Sequence, residues 1–102
     1  MPVGVTYGRG AERDIDEAIA FLREENPETA ERFRRVLTEL DARLADHPLL
    51  YPAATRGVRR AWLHPFRYAV CYRFTGEGII VVACFHASRD PNAVRDILRS
   101  RR

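Results

Sequence analysis

The sequence predicts an α+β fold in which two helices pack as a hairpin on one face of an antiparallel β-sheet. Two observations support this class. Apolar residues recur every three to four positions through residues 11–44, whereas they alternate with polar residues through residues 58–74. The 102 residues have the length of one domain, so we expect a single domain over residues 1–102 with one core.

The first half of the chain is expected to form a strand followed by the helical hairpin. Residues 3–7 are rich in β-forming side chains and predict a short edge strand. An amphipathic helix follows over residues 11–25. Asn26-Pro27 then supplies an N-cap and a first-turn proline for a second helix that ends near His47. So short a connection predicts that the two helices run antiparallel.

The second half is expected to form a three-stranded antiparallel meander and a short terminal helix over residues 91–98. The strands are predicted at residues 58–63, 66–74 and 79–86. His64-Pro65 and residues 75–78 have the composition of turns, so both connections are expected to be tight. Residues 49–57, which contain proline and alanine, are expected to form a loop.

Strand phase predicts an arginine-rich hollow on the sheet face turned away from the helices. Tight turns would place Arg67 opposite His86 and Trp62 opposite Arg67. The hollow is then expected to collect Arg60, Trp62, Arg67, Arg73 and His86 over a floor of Ala69, Cys71 and Cys84, with Arg89 just after the last strand. The face beneath the helices is expected to carry Tyr68, Val70, Tyr72, Phe74, Phe85, Ala83, Val81 and Ile79.

This cluster has two interpretations. Guanidinium groups bind phosphate or carboxylate in a forked geometry, and Trp62 offers a stacking surface for a base, which favours an anionic ligand. Arginines on an open sheet face are equally typical of ordinary solvation. Charge is unevenly distributed, since residues 1–50 hold 7 arginines and 11 acidic residues while residues 51–102 hold 10 and 3. This asymmetry is compatible with a polyanion or an acidic peptide as partner, and also with a solvated basic face.

Membrane and metal proteins are disfavoured. The longest apolar run, residues 79–85, is far too short to span a membrane, and residues 1–4 show no basic and apolar segments of an export signal. We therefore expect a cytoplasmic protein. Cys71 and Cys84 lack metal-ligand spacing and are expected to be small, buried, apolar side chains. No metal or other cofactor is expected.

Five short motifs follow one another along nearly the whole chain. They read Ala11-x-x-Asp14-Ile15, Asn26-Pro27-x-x-Ala30-x-x-Phe33, Gly57-x-Arg59, Phe66-Arg67-Tyr68-x-Val70-x-Tyr72 and His86-x-x-Arg89-Asp90-Pro91. In this order the motifs resemble the RelE/ParE toxins of type II toxin–antitoxin systems. That family has a two-layer fold, with an N-terminal helical hairpin packed on a twisted antiparallel sheet, which agrees with the fold predicted from the residues.

The resemblance implies a toxin that arrests growth by one of two routes. RelE-like toxins cut mRNA in the ribosomal A site without a metal, whereas ParE-like toxins inhibit DNA gyrase. For a nuclease, the resemblance implies catalytic roles for Arg60 and Arg89, and the predicted hollow adds Arg67 and His86 as further candidates. However, Ala69 stands where those nucleases have an arginine, and no tyrosine follows Tyr72, so the ParE-like route is favoured.

Three hypotheses for the function remain open, namely a gyrase inhibitor, a ribosome-dependent endoribonuclease and a non-toxic module that binds a peptide. Each implies a protein partner. For a toxin, this partner is a cognate antitoxin with an acidic segment, and the target is DNA gyrase or the ribosome with its mRNA. The residues expected to face the antitoxin or the target are Arg60, Trp62, Arg67, Arg73, His86 and Arg89.

Overall fold

Two long antiparallel helices lie on one face of a five-stranded sheet, and a third helix packs on the other face. The computed structural model describes residues 2–101, so Met1 and Arg102, the ends of the predicted domain, lie outside the described residues. In chain order the elements are β1 (Gly4–Tyr7), α1 (Arg9–Glu25), α2 (Pro27–Asp46), β2 (Ala53–Thr55), β3 (Val58–Trp62), β4 (Tyr68–Phe74), β5 (Gly78–His86) and α3 (Pro91–Ser100). The predicted α+β class and its helical hairpin are confirmed.

The hairpin turns at the capping residues that predicted it. Asn26 has an extended backbone, with φ −165°, and its side chain accepts a hydrogen bond of 2.8 Å from the backbone N–H of Glu28. Pro27 occupies the first turn of α2, where a backbone N–H would have no partner within the helix. The buried positions of the two helices are Ala11, Ile15, Ala18, Ile19 and Leu22 on α1, and Ala30, Phe33, Leu40 and Leu44 on α2.

The strands follow the order β1-β5-β4-β3-β2. The predicted meander of β3, β4 and β5 is antiparallel and forms the centre of the sheet. β1 is an edge strand, as expected, and it runs parallel to β5 because the helical hairpin carries the chain across the sheet. The other edge strand, β2, lies within residues 49–57. The expectation of a loop there was wrong because three residues are too few to show an alternating pattern.

The connection between β3 and β4 is longer than the tight turn that the sequence predicted. Trp62 pairs with Ala69, and not with Arg67 as expected. Arg67 precedes β4 and is exposed in the connection. Because the register moves by two residues, the faces of β3 are unchanged, and Arg60 and Trp62 remain on the face turned away from the hairpin.

A β-bulge in β5 displaces the second half of its pairing with β4. From the turn, the predicted register holds as far as Tyr72. Val82 is then an extra residue in β5, and every later pair is displaced by one. The predicted pairing of Arg67 with His86 is therefore wrong, since His86 pairs with Tyr68.

The bulge also changes which side chains share a face. Ala83 and Phe85 pack in the cluster beneath α3, and the prediction that they lie under the hairpin is wrong. The His86 ring lies against Tyr68, but the residue still borders the hollow. Cys84 packs in the core beneath the hairpin, so its predicted place in the hollow is wrong as well. The reason is that a shift of one residue turns every following side chain to the opposite face.

Asp14 and Arg101 complete the hydrogen bonding of β5 at the bulge, beyond the point where β1 ends. The Asp14 carboxylate accepts a hydrogen bond of 3.0 Å from the backbone N–H of Cys84, and Arg101 donates one of 3.0 Å to the carbonyl of Val82. The two side chains also form an ion pair with an N···O distance of 2.6 Å. A Cβ at Gly10 would lie 2.6 Å from the Arg101 Nε, so the glycine leaves room for this arginine.

The third helix covers the sheet face opposite the hairpin. Its residues Val94, Ile97 and Leu98 pack against the apolar cluster that includes the second half of β5. Arg73 fixes the end of this helix, because its guanidinium donates to the carbonyls of Leu98 and Arg101 at 3.3 Å each. The arginine expected in the hollow is therefore directed to the C-terminal end of α3.

Both cysteines are buried, at 1% and 4% exposure for Cys71 and Cys84, which confirms their prediction as small core residues. Burial raises the pKa of the Cys71 thiol to about 11 and that of Cys84 to about 12. Burial disfavours the charged thiolate, so neither thiol is a nucleophile near neutral pH.

We expect Asp14→Ala to lower the free energy of unfolding by about 1–3 kcal/mol, because it leaves the backbone N–H of Cys84 without its acceptor and removes the carboxylate partner of Arg101. Urea unfolding followed by circular dichroism measures the change. Asp16→Ala is the matched control, since Asp16 is exposed on the same helix and the substitution has the same effect on helix propensity. Equal losses in the two variants would contradict the role of Asp14.

We expect a thiol reagent such as a nitrobenzoate disulfide to react very slowly with the folded protein at pH 8, since both thiols are buried and remain protonated. Unfolding the chain in guanidinium should release two reactive thiols per chain. Rapid labelling of either cysteine in the folded state would contradict the burial described above.

Candidate binding pocket

A pocket of about 220 Å³ opens between the sheet and α3. Its apolar floor consists of Ala69, Cys71, Phe85, Val94 and Leu98. The first two residues are small and leave a depression in β4, while the bulge in β5 brings the ring of Phe85 to this face. The floor therefore results from side-chain size on one strand and from the displaced register of the next.

Arginines line the rim of this pocket. The guanidinium of Arg60 lies 5.5 Å from the ring centroid of Trp62, and that of Arg89 lies 5.5 Å from the ring of Phe85. Arg95 lines the pocket from the α3 side. Among the described residues no aspartate or glutamate lines the pocket, so its mouth is electropositive above an apolar floor.

His86 lies at the rim with its ring turned toward the hairpin. The ring packs edge-to-face on Tyr68, with centroids 5.0 Å apart. Its Nδ1 lies 2.8 Å from the Ser88 hydroxyl and accepts a hydrogen bond of 3.0 Å from the Ser88 backbone N–H. Because a backbone N–H only donates, the hydrogen of the neutral ring lies on Nε2, and Nδ1 is already occupied. In this arrangement the lone pair of Nδ1 is directed to Ser88.

Four of the six residues that the sequence predicted to face a partner line this pocket, namely Arg60, Trp62, His86 and Arg89. Arg67 lies outside the pocket, in the connection that precedes the first residue of β4, Tyr68. Arg73 lies outside it because its guanidinium binds the end of α3.

Sequence reasoning missed Arg95 as a lining residue. The pocket-lining residues of α3 are Pro91, Val94, Arg95 and Leu98, spaced at i, i+3, i+4 and i+7. This spacing marks one face of a helix and was the available signal. The sequence does not indicate which face of the sheet α3 covers, so this spacing alone does not assign Arg95 to the pocket.

Cys71 is the titratable side chain of the pocket floor. At the floor, burial outweighs the nearby Arg60 and raises the pKa of Cys71 to about 11, so its thiol is not a base or nucleophile near neutral pH. Within residues 2–101 no group of three or more His, Cys, Asp or Glu side chains is placed to hold a metal ion. In the same part of the chain, no helix has the length and apolar character needed to cross a membrane.

Comparison with known proteins gives relatives of one kind. The sequence model of the family described as "ParE toxin of type II toxin-antitoxin system, parDE" matches residues 5–91. Two curated relatives, each named "Toxin ParE2", come from Mycobacterium tuberculosis strains CDC 1551 / Oshkosh and ATCC 25618 / H37Rv. Each is 31% identical over 86 residues, covering 83% of this chain and 82% of the relative.

A solved structure shares the fold. A chain of the "Chromosomal ParDE TA system from P. aeruginosa" superposes with a TM-score of 0.63 at 18% identity, covering 82% of this chain and 95% of that one. The family match and the sequence relatives agree with the resemblance that the five motifs indicated. The chain therefore belongs to the ParE family of toxins from type II toxin–antitoxin systems.

Proposed function

We propose that this toxin arrests growth by inhibiting DNA gyrase, as its resemblance to ParE-like toxins implies, and that a cognate antitoxin neutralises it. The observation that carries the choice of target is that His86, the histidine that lines the pocket, has its Nδ1 already hydrogen-bonded to the backbone N–H of Ser88. RNA cleavage without a metal needs a base within hydrogen-bond reach of the ribose hydroxyl. The pocket instead offers guanidinium groups over an apolar floor.

Of the four candidate nuclease residues, Arg60, His86 and Arg89 line the pocket and Arg67 does not. Arg67 lies in the exposed connection before β4, and the Nδ1 atom of His86 is held by Ser88. Ala69, where the nucleases have an arginine, is 2% exposed and forms part of the floor. The displaced Arg67, the hydrogen-bonded Nδ1 of His86 and the alanine at position 69 support the ParE-like alternative.

The charge of the pocket supports an acidic antitoxin. Three arginines surround the mouth, and the half of the chain that contains them has 10 arginines against 3 acidic residues. An acidic segment gains Coulomb attraction at such a surface, and the contribution is screened by salt. Because the proposed target, DNA gyrase, and the proposed antitoxin are both expected in the cytoplasm, we propose that the toxin acts there.

We expect the purified toxin to convert gyrase and supercoiled plasmid into cleaved complexes in the presence of ATP, seen as linear DNA after denaturation with detergent and protease. Addition of the co-purified antitoxin should abolish the effect. The control is gyrase and plasmid with toxin that has been heat-denatured. No linear DNA at a molar excess of folded toxin would contradict the proposal.

A parallel assay distinguishes the alternative functions. Primer extension on translated mRNA should give the same pattern with the wild-type toxin and with Arg89→Ala, because no cleavage is expected from either. Cuts in codon register that disappear in Arg89→Ala would favour a ribosome-dependent endoribonuclease. Induction of the toxin gene alone without growth arrest would favour a non-toxic binding module.

A further inference from the structure

We propose that the pocket between the sheet and α3 is the anchor site for the antitoxin, which inserts one apolar side chain over the floor and pairs neighbouring carboxylates with Arg60, Arg89 and Arg95. The inference rests on the proposed neutralisation by an antitoxin. It goes beyond that proposal because it assigns the contact to one pocket and states the chemistry of the segment that fills it.

The size of the pocket favours a side chain over a nucleotide. Its volume of about 220 Å³ lies below the range of about 300–1,000 Å³ typical of small-molecule sites. The floor consists of Ala69, Cys71, Phe85, Val94 and Leu98, which present no polar side chain to the edge of a base. A base buried there would lose hydrogen bonds to water without replacement, whereas an apolar side chain would not.

The rim supplies positive charge that no acidic side chain of residues 2–101 neutralises. Among the described residues, ion pairs within 4.0 Å occur only between Arg34 and Glu31 and between Arg101 and Asp14. Arg60, Arg89 and Arg95 therefore have no acidic partner within that distance in residues 2–101. Guanidinium groups bind carboxylates through two parallel hydrogen bonds, so acidic residues beside the anchor satisfy them directly.

Trp62 lies at the same pocket rim and is exposed there. It is the one tryptophan of the chain and keeps 38% of its surface exposed beside the rim, with Arg60 over its ring. Tryptophan and arginine are the side chains most enriched among residues that dominate protein interfaces. The other large exposed apolar residues, Phe21, Leu49 and Leu50, do not line the pocket. The pocket rim thus combines an exposed aromatic ring, unpaired positive charge and an apolar depression.

Trp62 also supplies a direct test, because toxin labelled with 5-fluorotryptophan has one ¹⁹F signal. The probe is the purified protein encoded by the reading frame beside the toxin gene. We expect this protein to shift the ¹⁹F signal of Trp62 on binding. We also expect Arg95→Glu to weaken the measured affinity by about tenfold or more at moderate salt, since it places a like charge against the acidic segment.

Arg99→Glu is the matched control. Arg99 is exposed on the same helix and carries the same charge, but it does not line the pocket, so its reversal should change the affinity by less than about twofold. At about 1 M NaCl, where the Debye length falls to about 3 Å, Arg95→Glu and the wild type should converge on a weaker but measurable affinity that reflects the apolar anchor. A folding defect in Arg95→Glu would not disappear with salt.

Several results would overturn the inference. Binding without a shift of the Trp62 signal, equal effects of the two charge reversals, or complete loss of wild-type binding at about 1 M NaCl would each contradict the anchor site. If gyrase shifts the signal and the antitoxin does not, the pocket belongs to the target. In all of these cases cleaved complexes in the gyrase assay leave the proposed toxicity intact, whereas no antitoxin binding at all means that the proposed neutralisation has failed as well.

Discussion

β5 continues through its bulge because Asp14 and Arg101 hydrogen-bond the main-chain groups that no neighbouring strand reaches. The N–H of Cys84 and the carbonyl of Val82 would otherwise be left without partners at a partly buried sheet edge, and an unsatisfied buried amide is costly. The ion pair joins α1 to the residue that follows α3, so one contact connects both sides of the sheet. The place of Phe85 in the pocket floor and the orientation of the His86 ring depend on this bulge.

The extra residue in β5 determines which chemistry reaches the pocket. It sends Phe85 to the α3 side, where the ring forms the floor and carries Arg89 above it. It also sends His86 to the hairpin side, where Tyr68 and Ser88 hold the imidazole. Arg73 donates a hydrogen bond to a carbonyl at the C-terminal end of α3, and Arg101, which follows α3, is paired with Asp14. These contacts fix the end of the helix that borders the pocket opposite the sheet. The pocket thereby gains an apolar floor, and the imidazole at its rim is held by Tyr68 and Ser88.

The charge and the apolar floor of the pocket both bear on recognition. The guanidinium groups of Arg60, Arg89 and Arg95 attract any anionic ligand. Binding requires only complementary charge and a volume of the right size, whereas catalysis also requires a base held within hydrogen-bond reach. The pocket supplies positive charge and a volume that suits one side chain, and our proposals therefore concern recognition of a target and of an antitoxin.

The amino-acid sequence by itself determined the helical hairpin, the central meander and the burial of both cysteines, because periodicity and the Asn26-Pro27 cap act over a few residues. It also placed Arg60 and Trp62 on the correct face, since a register shift of two residues preserves strand phase. Tertiary structure alone decided the bulge at Val82, the two edge pairings of β1 and β2, and the packing of α3. The physical reason is that these features depend on contacts between residues far apart in the chain, such as Asp14 with Arg101, to which no local pattern refers.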